Sequence, residues 1–379
     1  MRDTRYYTED HEAFRDTLRR FVRDEIAPHV NEWDEAGEFP RELYRRAAGI
    51  GLLGIGYPEE YGGTPADVFY HLIASEELAQ AGSGGLVASL LSHTIGAPPI
   101  RHAGSRELQA RKLPAILAGE RISALAVTEP SGGSDVANLR TTARLDGNEY
   151  VVNGEKTFIT SGMRADDYTV AVRTGGPGAA GVSLLVIERD RPGFTRTPLA
   201  KMGWWMSDTA TLHFDNVRVP AGNLVGEEGK GFRAIMSNFN MERLGLAASA
   251  YGFAKVCLED ALAWARERRT FGQPLIERQV IRHKLVDMQT RIEATRTLLE
   301  DCAWRVQQGE SPAASLAMLK NFATRTMQFC ADEAVQILGG MGFMRGTRPE
   351  RIYREVKVMT IGGGAEEVMK DLAAKQLGW

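Results

Sequence analysis

YVVNGEKTFIT (150–160), YTVAVRT (168–174), GVSLLVIE (181–188) and TATLHFDNVRV (209–219) decide how this chain divides. Each run is short, rich in β-branched and aromatic residues, and bounded by turn formers such as DGNE (146–149) and GGPG (175–178). That is the pattern of strands in a sheet. The change of pattern begins near Ile122 and lasts to about residue 220, so an antiparallel β domain of about 100 residues is the simplest reading.

On either side the period is helical. Phe14, Leu18, Phe21, Val22, Ile26, Val30 and Trp33 recur at helical spacing, and further helices are expected around 40–53, 67–81, 85–96 and 106–118. Breakers such as Gly62-Gly63 and Pro98-Pro99 separate several of them. After the Gly-rich connection GNLVGEEGKGF (222–232), Leu285, Met288, Ile292, Thr295, Leu299, Cys302 and Val306 alternate steps of three and four. Such a seam is the core face of a bundle or coiled coil.

Composition sets outer bounds. The 379 residues are 43% hydrophobic and 25% charged, with a formal charge of −3. That is globular, long enough for two or three cores, and without the charge expected of a nucleic-acid or membrane-surface binder. Cys257, Cys302 and Cys330 form no CxxC and lie in helical stretches, so buried thiols in a reducing compartment are expected. The polar start MRDTRYYTEDHEAF reads as neither signal nor transit peptide. No apolar run approaches a membrane span. The expectation is a soluble, cytoplasmic protein without membrane insertion.

GIGLLG (49–54) matches GxGxxG, but a helical segment precedes it and the Pro/Gly loop YPEEYGG follows. A dinucleotide loop needs a strand before and a helix after. No GxSxG, Walker A or HExxH occurs, and the seven histidines show no metal-ligand spacing, so His93 and His213 read as core or surface residues and no metal is expected.

AVTEPSGGSDVANLRTTARL (126–145) is a tight polar turn between apolar runs, able to offer free N–H groups to an anion or to serve as a plain β-turn. It resembles the signature loop of acyl-CoA dehydrogenases. KTFITSG (156–162), RERRTFGQPL (266–275), AVQILGGMGF (334–343) and YREVKVMTIGGGAEEVMK (353–370) continue the resemblance in order along the chain. The fold it implies is α+β: an N-terminal helical domain (1–121), a middle antiparallel β domain on the flavin and thioester side (122–230), and a C-terminal four-helix bundle (231–379).

The resemblance also implies an FAD site. Thr128 and its adjacent backbone would hydrogen-bond the isoalloxazine ring, with Leu125, Val127 and Gly133 in the same site. Ser134 would lie where flavin and substrate thioester meet, Phe158 would cover the ring, and Thr160 would bond near N5. Arg268 is similar to the arginine that pairs with the pyrophosphate of a neighbouring subunit's FAD, a role that suits a guanidinium fork. Phe271, Gln279, Gln336, Gly339 and Gly340 resemble the remaining contacts, although the two glycines would also serve as a helix C-cap.

Many family members carry their catalytic Glu in a C-terminal Tyr-Glu-Gly-Thr motif, where this chain has Gly362, Gly363, Gly364 and Ala365. The long-chain and isovaleryl-type enzymes place the base on the helix that opens the C-terminal domain. MERLGLA (241–247) is similar to them, and Glu242 falls on the catalytic position. Ile235, Phe239, Glu242, Leu246 and Phe253 share a helical face, so the carboxylate sits among apolar residues. Burial raises such a pKa towards the value a base needs near neutrality. An ion pair with Arg243 or another basic residue is the competing reading.

The implied reaction is α,β-dehydrogenation of an acyl-CoA. Glu242 would abstract the α-proton, and the β-hydride would pass to flavin N5. The Gly363 N–H and the flavin ribityl hydroxyl would polarise the thioester. Asn240 and Arg243 are candidates for holding the acyl-CoA, and Gly362 and Gly363 leave a wider acyl pocket. An electron-transfer flavoprotein would be the acceptor and a homotetramer, a dimer of dimers, the assembly. An acyl-CoA oxidase, expected to be longer, and a flavin monooxygenase, which needs no base at 242, are the alternatives. A non-catalytic relative would have no evident reason to keep the flavin motifs.

Overall fold

The computed structural model describes residues 5–379. Eight helices come first: α1 (Glu9–Phe21), α2 (Val30–Ala36), α3 (Glu42–Gly49), α4 (Val68–Leu78), α5 (Gly84–Leu90), α6 (His93–Gly96), α7 (Pro98–Ala103) and α8 (Arg106–Leu117). Side chains that accept N–H bonds set several starts: Thr8 for α1, Asp67 for α4, Ser83 for α5 and Ser105 for α8. Pro98-Pro99, expected to break the chain, instead opens α7, because a proline in the first turn lacks only an N–H that had no intrahelical partner. A helix therefore precedes GIGLLG and a single short turn (Glu59–Tyr61) follows it, which is not a dinucleotide-binding context.

The strands are β1 (Ser123–Ala126), β2 (Thr142–Asp146), β3 (Glu149–Ile159), β4 (Asp167–Arg173), β5 (Val182–Glu188), β6 (Phe194–Pro198) and β7 (Ala210–Pro220). They pair in the order β1-β4-β2-β3-β7-β6, with β5 also on β4. The four quoted runs are β3, β4, β5 and β7, each displaced by at most a residue or so. The sheet is mixed rather than antiparallel throughout, since β1 and β2 run parallel to β4 while the other pairs are antiparallel. A parallel pair needs a crossover, which turn residues in the sequence do not reveal. β4 and β5 are buried on both faces, which explains their continuous apolar sequence. β6 was not anticipated: FTRTP alternates but is short and largely exposed.

The C-terminal part holds α9 (Gly231–Glu267), α10 (Gln279–Gln307), α11 (Ala313–Leu338), α12 (Arg348–Ile361) and α13 (Glu366–Leu377). The first four pack as a bundle with α11 against each of the others, and α13 closes on α11. The seam residues Leu285, Met288, Ile292, Thr295, Leu299 and Cys302 are all buried. All three cysteines are free and buried. Helix α4 crosses α9 closely at Gly252, where a Cβ would come within 2.7 Å of Ala79 Cβ. Only a residue without a side chain permits that approach.

Buried charges tie the three parts together. Lys112 of α8 meets Asp167 at 2.7 Å and Glu188 at 2.6 Å in the sheet. Glu355 of α12 accepts from the Gly84 N–H at 2.6 Å and the Trp204 N–H at 3.1 Å, joining helices from both ends of the chain to a sheet loop. Among the described residues no helix is long and apolar enough to cross a membrane.

Candidate active site

The turn TEPSGGSD follows β1 and is held from beneath. Glu129 is buried, meets Lys156 Nζ at 2.7 Å, and accepts N–H bonds from Arg140 at 2.6 Å and Thr141 at 2.8 Å. Burial works against its charge, but Lys156 and these donors hold the Glu129 carboxyl below the usual range. Burial likewise draws Lys156 down to about 8, opposed by Glu129. Lys156 Nζ also donates to the Val127 carbonyl at 3.0 Å, and the Thr157 N–H donates to the Thr128 carbonyl at 2.9 Å. The two quoted segments are thus clamped side by side, Leu125, Val127 and Thr128 on one and Phe158 and Thr160 on the other.

Above this clamp the surface is open. Gly133 and Ser134 are exposed. The pairing of β3 with β7 shifts between Lys156 and Ile159, and there Phe158 stands 69% exposed at φ 61. Ser161, also at positive φ (57), has a buried Oγ without a partner. Two non-glycine residues held left-handed flank Thr160, a strain of the kind that gathers at functional sites. An exposed aromatic ring beside a free polar turn suits a planar ring system.

Glu242 lies in the fourth turn of α9. Its Oε2 is sealed from solvent and has no hydrogen-bond partner, and burial pushes the carboxyl up to about 7, opposed by the charges of Arg243 and Lys320. Among the described residues Glu242 forms no ion pair, so the competing reading of a salt bridge with Arg243 does not hold. Arg243 turns instead to the Gly363 carbonyl (3.3 Å) and to Asn240 Oδ1 (3.4 Å). Asn240 also reaches Ser311 Oγ at 3.3 Å. Of the apolar neighbours read from the helical face, Ile235 and Phe253 are buried, while Phe239 and Leu246 are half-buried beside the carboxylate.

The turn Gly362–Ala365 sits opposite. A Cβ on Gly363 would lie 3.7 Å from Glu242 Oε1 and 2.4 Å from Leu246 Cδ1. Among the described residues the Gly363 N–H donates to no other group, whereas the Gly362 N–H caps α12 on Val358 at 2.8 Å. The base on α9 and the glycine turn that carries the free N–H therefore lie against each other. Sequence reasoning missed Lys320 here. Lys320 is fully buried and donates to the Gly364 carbonyl at 2.8 Å. The readable signal was a lysine on a buried stripe with Leu316, Thr324 and Met327.

The other predicted cofactor residues lie elsewhere. Arg268 ends α9 and is exposed, its guanidinium 6.0 Å from the Trp264 ring centre. Phe271 is 97% exposed at φ 49. Gln279, Gln336, Gly339 and Gly340 are exposed at the ends of α10 and α11. Arg268 follows Glu242 by 26 residues on the one helix α9, about 39 Å at 1.5 Å per residue.

Family models of the acyl-CoA dehydrogenase N-terminal, middle and C-terminal domains match residues 8–120, 124–217 and 229–378. The chain belongs to the acyl-CoA dehydrogenase family. It is 38% identical to an acyl-CoA dehydrogenase of Bacillus subtilis (strain 168), covering 98% of this chain and 99% of that one. It is 36% identical to the mitochondrial long-chain specific acyl-CoA dehydrogenase of Sus scrofa over 98% of this chain and 87% of the relative. The structure of a probable acyl-CoA dehydrogenase from Mycobacterium abscessus superposes with a TM-score of 0.97 at 49% identity, covering 98% of this chain and all of the other. As an acyl-CoA dehydrogenase the chain is an oxidoreductase, and its cofactor is FAD.

Proposed function

We propose that this acyl-CoA dehydrogenase forms trans-2-enoyl-CoA thioesters with Glu242 as the base that removes the α-proton. The observation that carries the proposal is Glu242 Oε2, sealed from solvent without a partner, beside a Gly363 whose N–H donates to no described group. An acid of pKa about 7 is half ionised at neutrality and regains its proton readily, as a general base must. The α-proton of a thioester is too weakly acidic for a bare carboxylate, so charge developing on the carbonyl oxygen needs a donor fixed in advance. In this reading the Gly363 N–H is that donor, and Glu242 takes the α-proton.

The remaining residues bind and orient. Thr128, Ser134, Phe158 and Thr160 would hold the isoalloxazine end of FAD, and Arg268, Phe271, Gln279, Gln336, Gly339 and Gly340 its phosphate and adenosine parts from a neighbouring subunit. When bound, FAD supplies the acceptor for the hydride that leaves the β-carbon. Asn240 and Arg243, linked at 3.4 Å, would position the thioester chain. Side-chain-free Gly362 and Gly363 leave room for branched or long acyl groups, and an electron-transfer flavoprotein would take the electrons onward.

The test is anaerobic mixing of the yellow holoenzyme with a panel of acyl-CoAs. Bleaching with at least one, followed by slow return of colour in air, is expected of a dehydrogenase. Rapid return would assign an oxidase, and no bleaching with any thioester would remove the proposed activity.

A further inference from the structure

Gly362, Gly363 and Gly364 join α12 to α13, and two of them occupy positive φ, 68° for Gly363 and 111° for Gly364. Three consecutive glycines form the least constrained backbone a chain can have. A donor N–H on such a turn contributes to catalysis only if its direction is set before the reaction. Something outside the turn must set it.

Two cations from two different helices hold the turn on the C-terminal side of that N–H. Arg243 Nε of α9 reaches the Gly363 carbonyl at 3.3 Å, and Lys320 Nζ of α11 reaches the next carbonyl, that of Gly364, at 2.8 Å. Because each peptide unit is planar, fixing a carbonyl fixes the N–H that follows it. The two bonds therefore set the Gly363–Gly364 and Gly364–Ala365 peptide planes, which limits how far the adjoining Gly363 N–H can swing. The following residue of α11 extends the grip: Asn321 Nδ2 donates to the Glu366 carbonyl at 2.9 Å. Lys320 is fully buried, and a lysine is rarely so unless its ammonium is engaged.

We propose that Lys320 is a positioning residue for the dehydrogenation: its ammonium pins the Gly362–Ala365 turn against Glu242 and supplies positive charge near that carboxyl. This rests on the reading of Glu242 as the base. The charged groups facing Glu242 are Arg243 from its own helix and Lys320 from α11. Glu366, at the start of α13, faces Lys320 and is itself paired with Arg325 at 2.6 Å and Lys370 at 2.8 Å. Lys320 favours the ionised form of Glu242, so its removal raises the pH at which the base becomes active.

The experiment uses the FAD-bound enzyme with its best acyl-CoA and compares wild type with Lys320→Met, Lys320→Gln and Lys320→Arg. The Met and Gln variants should keep the flavin and show kcat reduced by about 10- to 100-fold, the scale of a misplaced donor, with a smaller change in KM. The acidic limb of their kcat/KM profile should move up by about half to one pH unit, and Lys320→Arg, which keeps the charge, should return that limb towards wild type. An unmoved limb, or flavin reduction within about twofold of wild type, would overturn the proposal. So would loss of soluble holoenzyme in both neutral variants, since Lys320 would then be a folding residue. Glu242→Gln, measured alongside, separates the two readings: if it is inactive while the Lys320 variants are normal, only the role of Lys320 falls.

Discussion

Glu242 carries a carboxyl whose charge the fold opposes. Its pKa stands near 7, above the ordinary 4.5, because burial outweighs the attraction of Arg243 and Lys320. A folded-state pKa above the unfolded one means that between about 4.5 and 7 the native state holds more protons than the unfolded state. Stability is therefore lost as pH rises through that window. Glu242→Gln abolishes the ionisation, so it should stabilise the holoenzyme at pH 8 by on the order of 2 kcal/mol, with the gain vanishing near pH 4 to 5. Thermal melts of both proteins across pH test this, and a gain that grows towards acid would contradict the assigned environment. At this scale the sequence was informative where a charge interrupted an apolar stripe, as at Glu242. Lys320 sits on such a stripe too, yet its partner is a backbone carbonyl 44 residues away, and no local pattern reveals that.

The glycine turn between α12 and α13 shows what an element contributes. With Gly363 at φ 68 and its missing Cβ only 2.4 Å from Leu246 Cδ1, Gly363→Ala must strain the backbone and displace Leu246. It should lower stability by about 1–2 kcal/mol and slow flavin reduction through the misdirected Gly363 N–H. A variant with wild-type melting temperature and wild-type reduction would show that the turn is not held as described. The same contact bears on moving the base: Gly363→Glu placed in Glu242→Gln meets Leu246 first, so Leu246→Ala is the background in which rescue should appear. Elements were the most legible level of this protein. Strands β3, β4, β5 and β7 and the seam of α10 announced themselves by period, because burial on one or both faces dictates it. The parallel pairing of β1 with β4 did not, since pairing depends on a partner more than 40 residues away.

For the whole molecule, Arg268 is the telling residue. It is exposed and lies about 39 Å along α9 from Glu242, and Phe271 and Phe343 beside the same helix ends are 97% and 86% exposed. The proposed function gives these exposed side chains to the cofactor of a neighbouring subunit. Sedimentation should therefore show a homotetramer, and an FAD-saturated monomer would exclude shared sites. Arg268→Ala should weaken FAD retention by about 30- to 150-fold, the equivalent of about 2–3 kcal/mol for a charge-assisted phosphate contact, with little effect on reduction in the molecules that keep the flavin. A variant still fully yellow after exhaustive dialysis would contradict that contact. None of this was available from periodicity, because an interface between subunits leaves exposed residues that look like ordinary surface until their family positions are recognised.

The central claim is that Glu242 removes the α-proton, and the most direct test is stopped-flow reduction of the bound flavin in Glu242→Gln by the best acyl-CoA substrate under anaerobic conditions. The amide is nearly isosteric, so folding, FAD binding and acyl-CoA binding should persist. The reduction rate should fall by at least about 10²- to 10⁴-fold, the range for removing a positioned general base. Reduction at the wild-type rate would show that the proton goes elsewhere.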